Sequence, residues 1–143
     1  MTKYAKLLTR GTGVGAAAFL LAVAIPGSAQ AAADPVYAGC STTGASGLLR
    51  DTQLTESPGG THAVHFEISD TAADRHHARV RYLTKMGNGK TKPWKWHPNY
   101  GGVGTIVVNT SAKDQDNGIF RVGIEVARAE GSSILNSCIA WEP

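Results

Sequence analysis

Alternation with a period of two is the clearest pattern in the chain. Over residues 118–128, Phe120, Val122, Ile124 and Val126 fall on one side of an extended segment, with Arg121 and Glu125 on the other. Val64, Phe66 and Ile68 alternate in the same way with His65 and Glu67. Successive side chains of a strand leave opposite faces, so each run predicts a strand with one buried face. Residues 78–84 repeat the pattern, with Val80 and Tyr82 inward and Arg79 and Arg81 outward. Further strands are expected at 103–108, at 133–141 and, more weakly, within 46–54. From residue 32 onward no ten-residue stretch has helical periodicity.

The segments between these runs carry turn chemistry. Ser57-Pro58-Gly59-Gly60, residues 70–74, the polar stretch 110–118 and Glu130-Gly131 all break the alternation. Asn88-Gly89 is the strongest hairpin signal, because a tight turn there needs positive φ at both central residues. The returning segment, 91–97, contains Pro93. Proline has no N–H to give to a ladder, so this strand belongs at a sheet edge. Six to eight strands about ten residues apart predict an all-β fold, a single antiparallel β-sandwich.

The N-terminus has a different pattern. Lys3, Lys6 and Arg10 precede an uncharged apolar run, 14–25, closed by Pro26-Gly27, and Ala29 and Ala31 supply the small residues of a cleavage site. This order reads as a secretory signal peptide over residues 1–31. The run is shorter than the roughly 20 residues of a spanning helix, so no membrane attachment is expected after cleavage. Residues 32–39, interrupted by Pro35, read as an extended arm carrying Val36 and Tyr37. Residues 40–143 remain for one domain with one modest core.

Removal of the leader changes the charge balance. The formal charge of +3 equals the contribution of Lys3, Lys6 and Arg10, so the 11 remaining Lys and Arg balance the 11 Asp and Glu. A neutral domain without a basic stripe excludes nucleic acid as an expected partner. The two cysteines, Cys40 and Cys138, lie close to the two ends of the exported chain. In such a chain they predict one disulfide joining the first and last strands, and an extracellular location.

Chemistry-bearing residues are few. Trp94 and Trp96 are two apart, so a regular strand puts both on one face, and His97 and Tyr100 follow directly. An aromatic edge of this kind suits sugar rings or a partner's anchors; the alternative is that both tryptophans cap the core. Val36, Tyr37, Trp94, Trp96, His97 and Tyr100 are therefore the candidate partner-binding residues. His62, His65, His76, His77 and His97 are expected in turns or at the surface. His62 and His65 would face opposite sides of a strand, and adjacent His76 and His77 do not readily share an ion, so no metal or other cofactor is expected. Residues 114–118 resemble part of a calcium loop without its distal glutamate and read as a polar turn. No nucleophile elbow, zinc-protease motif or phosphate loop is present in the sequence, and the expectation is a protein that is not an enzyme.

The leader ending at Ala29-Gln30-Ala31, the arm over 34–39 and the Cys40/Cys138 clasp together resemble small secreted proteins of high-GC Gram-positive bacteria. Proteinase and amylase inhibitors and enediyne apoproteins share the size and β content but usually carry two disulfides. The arrangement more closely resembles the small β-sandwich adaptor subunit of umbrella toxin particles. That resemblance implies a secreted adaptor in an antibacterial assembly, linking a lectin to a larger toxin subunit. Two other functions stand beside it: a glycan- or cell-wall-binding module using Trp94 and Trp96, and a hydrolase inhibitor presenting the loop 111–118.

Overall fold

The computed structural model describes residues 34–52 and 59–143; the leader and part of the turn around Pro58 lie outside the described residues. Eight strands follow in order: β1 (Val36–Thr42), β2 (Ala45–Asp51), β3 (Thr61–Asp70), β4 (His77–Met86), β5 (Thr91–Asn99), β6 (Gly104–Lys113), β7 (Ile119–Glu130) and β8 (Ser133–Trp141). They form two four-stranded sheets, β1-β2-β3-β6 and β5-β4-β7-β8, and every pairing is antiparallel. Among the described residues there is no helix. The expected all-β sandwich is the fold.

The core lies between the sheets and is built from the alternating residues. Leu49, Val64, Phe66 and Ile68 of the first sheet meet Val80, Tyr82, Val122, Ile124 and Val126 of the second, all buried. At roughly 25 cal/mol per Å² of apolar area, such side chains each contribute on the order of 1.5–3 kcal/mol. Gly47 lets the layers approach, because a Cβ there would lie 2.7 Å from Val80 and 2.9 Å from Val126.

Cys40 of β1 and Cys138 of β8 form the disulfide, with Cα atoms 6.3 Å apart and a sequence separation of 98. It joins the outer strands of the two sheets along one flank, and Thr42 Oγ1 donates to Asn136 Oδ1 at 3.1 Å beside it. A disulfide is consistent with an extracellular or otherwise oxidising compartment.

Several local expectations differ from the structure. The first strand starts at Val36, so residues 36–39 of the expected arm are ladder-paired with β2. The expected loop at 110–118 is shorter, because β6 runs on through Lys113 opposite Thr61. Phe120 is exposed, not inward. Lys85 pairs with Arg121 and Met86 with Ile119, so Phe120 is the extra residue of a bulge and Ile119 takes the core position. The β4–β5 hairpin turns through residues 87–90, where Gly89 alone has positive φ (79°), while Asn88 Oδ1 accepts from Lys90 N at 3.0 Å. A side chain that bonds its own backbone two residues on replaces the tight two-residue turn.

Two stability measurements follow. Cys138→Ser should lower unfolding free energy by about 2–5 kcal/mol in denaturant titrations, and an unchanged midpoint would show that the clasp contributes nothing. Gly47→Ala should cost about 1–3 kcal/mol, since the new methyl group must displace two core valines.

Candidate functional site

The surroundings of Trp94 and Trp96 are set by one irregularity in β5. Arg81 pairs with Trp96 and Leu83 with Pro93, so Tyr82 stands opposite two residues, Trp94 and Lys95. This bulge adds one residue to β5 and reverses its side-chain parity. The two tryptophans therefore leave opposite faces of the sheet. The shared face expected from their spacing holds only for a regular strand. β5 is an edge strand, as Pro93 requires, and edges are where bulges collect.

Trp94 turns inward. It packs against the core, its ring lies 6.2 Å from that of Tyr82, and its indole N–H donates to Thr84 Oγ1 at 3.1 Å. Lys92 Nζ sits 4.3 Å from its ring centre and pairs with Asp114 at 2.9 Å, a hydrogen bond that holds the Asp114 carboxyl below its ordinary pKa. His97 also turns inward, 5.5 Å from the ring of Phe66, and its burial, with Lys95 nearby, lowers its pKa. Between the edges of β5 and β6 a cleft of about 390 Å³ opens, lined by Tyr82, Trp94 and His97 on one side and Thr110 and Ala112 on the other.

Trp96 turns outward into a stack of aromatic and cationic groups. Its ring centre lies 4.6 Å from the Arg79 guanidinium and 4.5 Å from that of Arg81. Arg81 Nε donates to Glu125 Oε2 at 2.7 Å. On the same outer face Trp141 lies over Gly123, where a Cβ would come within 2.7 Å of its ring, and Lys85 and Arg121 lie 5.3 and 5.7 Å from its centre. Tyr100 is 76% exposed in the loop after β5 and touches only the ring of His77, at 4.7 Å, among the ring contacts described. Val36 packs against the core on the far flank, and Tyr37 is exposed on the outer face of the other sheet. The six candidate binding residues thus do not form one site.

A polar cluster that the alternation points to lies inside the sandwich. His62 is fully buried, not at the surface, because it occupies the same side of β3 as Val64, Phe66 and Ile68. Asp51 Oδ2 contacts His62 Nδ1 at 3.0 Å and accepts a hydrogen bond from the Tyr82 hydroxyl. Burial, with Asp51 beside it, pushes the Tyr82 phenol far above its ordinary pKa, so the hydroxyl stays a donor. Extending the period of two back by one step from Val64 was enough to place His62 inward. The signal was in the sequence and yielded to the general habit of histidine for surfaces. With every member almost completely covered, these groups hold three strands together.

His65 is on the outer face of β3 and bonds Asn109 Oδ1 at 2.8 Å, while His76 lies near Asp74, Glu130 and Arg128. Among the described residues no group of three His, Cys, Asp or Glu side chains is placed to hold a metal ion. The stretch 114–118 is a turn in which Asp114 Oδ1 accepts from Asn117 N at 3.1 Å. No protein-family model, curated protein or solved structure matches the chain.

His77 and His97 set a pH dependence. The pKa of His97 is lowered by burial and then by Lys95, and that of His77 by burial and then by Arg79. Each is below its unfolded value of 6.5, so the unfolded chain takes up a proton first as pH falls. Their contribution is complete above 6.5 and is lost as pH drops through 6.5 towards the folded values. Glu142, whose pKa burial raises above 4.5, acts oppositely at lower pH. Urea midpoints should therefore fall between about pH 7.5 and 5.5, and His97→Gln should flatten that slope.

Proposed function

We propose that the protein is a non-enzymatic interaction module, an adaptor that binds an acidic protein surface through the outer face of β5-β4-β7-β8. One observation carries this reading. A row of side chains crosses all four strands of that face in register: Ile139, Glu125, Arg81 and Trp96. The outer face of a two-layer sandwich has no packing need for large aromatics, yet Trp96 and Trp141 both lie there. Trp and Arg are the residues most enriched where interfaces concentrate their binding energy. Arg79, Arg81, Lys85 and Arg121 outnumber Glu125 and Glu142 around the two rings, which favours a partner rich in carboxylates.

An adaptor needs a second surface. The outer face of the other sheet carries Leu48 and Val107 on either side of Glu67, with Tyr37 beside them on β1, and the three apolar groups are exposed. The lectin and larger toxin subunit implied by the resemblance to umbrella toxin adaptors are the partners this reading assigns to the two faces. The location it requires is extracellular. Neither alternative gains a specific support: Trp94 and Trp96 do not share a platform for a sugar, and residues 111–113 of the expected inhibitory loop are paired within β6.

The test is purification of the tagged protein from culture medium of its native host, with the co-purifying chains counted and identified. Arg81→Glu and Trp96→Ala should release one partner at least tenfold more readily, as loss of a central hot spot does, and Val107→Glu should release the other. Recovery of a lone monomer, or loss of both partners by either set, would end the adaptor reading.

A further inference from the structure

The cleft between β5 and β6 is separate from both outer faces and has its own chemistry. β5 and β6 are the outer strands of their sheets on the flank opposite the disulfide, and the layers leave about 390 Å³ between them. Small-molecule sites usually span about 300–1,000 Å³, so this one lies at the small end of that range. Its walls are aromatic, from Tyr82, Trp94 and His97. Buried Val64 and Ala112 close its inner end. The hydrogen-bonding capacity of Tyr82 and Trp94 is already taken, by Asp51 and Thr84, and Tyr82 is covered, so the half-buried rings of Trp94 and His97 are the ones a ligand reaches. Lys95 and Ser111 are exposed at the mouth, with Thr110 half-buried behind them. His97 is held neutral by burial, which leaves Lys95 as the charged group among the lining residues.

We propose that this cleft binds a small planar aromatic carboxylic acid, its rings against Trp94 and His97 and its carboxylate at Lys95 and Thr110. Flat rings match the wall of π faces, which prefer offset or edge-on aromatic neighbours. The acid matches a mouth with one ammonium group, a hydroxyl on each of two neighbouring residues and no carboxylate among its lining. A sugar would leave hydroxyl groups facing Val64 and Ala112 without partners, and a saturated chain would forgo the ring faces of Trp94 and His97.

The probe is 2-naphthoic acid, titrated into the intact disulfide-bonded protein and followed by backbone and indole N–H resonances. Saturable binding with Kd below about 1 mM should shift the Trp94 indole and the amides of His97, Thr110 and Ala112. Thr110→Trp, on an edge strand and half-buried, should fill the cleft and abolish these shifts while thermal unfolding stays cooperative. Lys95→Gln should weaken naphthoate about tenfold and leave uncharged 2-naphthalenemethanol unchanged, because only a charge-assisted contact is lost. Absence of saturation in the wild type, or naphthoate binding undiminished by Thr110→Trp, would overturn the site. Equal loss of both probes in Lys95→Gln would overturn the assignment of the carboxylate.

Discussion

The two layers are fastened to one another covalently along one flank only. Cys40 and Cys138 join β1 to β8, and Thr42 bonds Asn136 across the same seam. Close approach of the layers is completed by Gly47, which has no side chain to hold Val80 and Val126 away. On the opposite flank β5 and β6 have no disulfide between them; Lys92 pairs with Asp114 just beyond β6, and there the layers part to form the cleft. Clasp and cleft are two results of one asymmetry: a sandwich tightened on one side has room to open on the other.

The same asymmetry separates the surfaces by type. Each outer face is a nearly continuous sheet on which residues are placed by ladder register, and extended flat surfaces of this kind suit proteins. The cleft is concave, lined by rings and large enough for one small molecule. Buried Asn99 holds the β5–β6 connection, through its bonds to the Gly104 and Ile68 carbonyls at 2.9 and 3.3 Å. The polar cluster of Asp51, His62 and Tyr82 braces the first sheet against the second behind the Tyr82 ring.

The fold was legible because alternation is a direct record of burial: Val64, Phe66, Ile68, Val122, Ile124 and Val126 all face the core as their spacing requires. Pro93 marked an edge for a reason of hydrogen bonding, and the two cysteines marked the first and last strands. What escaped was whatever depends on counting residues across a pair of strands. Phe120 and the Trp94/Trp96 pair were each placed by a rule of two that a single extra residue inverts. A bulge is a property of two strands and their register, and one strand's sequence does not contain it. Spacing alone puts Trp94 and Trp96 on one face, as platform or as core cap, whereas the candidate aromatics are divided between the interior, an outer face and a loop.

The position of Cys138 in the final strand also governs the order in which the molecule is completed. A polypeptide is made from its N-terminus, and seven of the eight strands can emerge before the second sulfur exists to react. Until then the layers are held by packing and by the hydrogen bond from Tyr82 to Asp51, and β1 is an open edge with nothing facing it from β8. The disulfide thus waits for β8, and a chain truncated before residue 138 would keep most of its buried apolar residues and yet be left permanently unlatched.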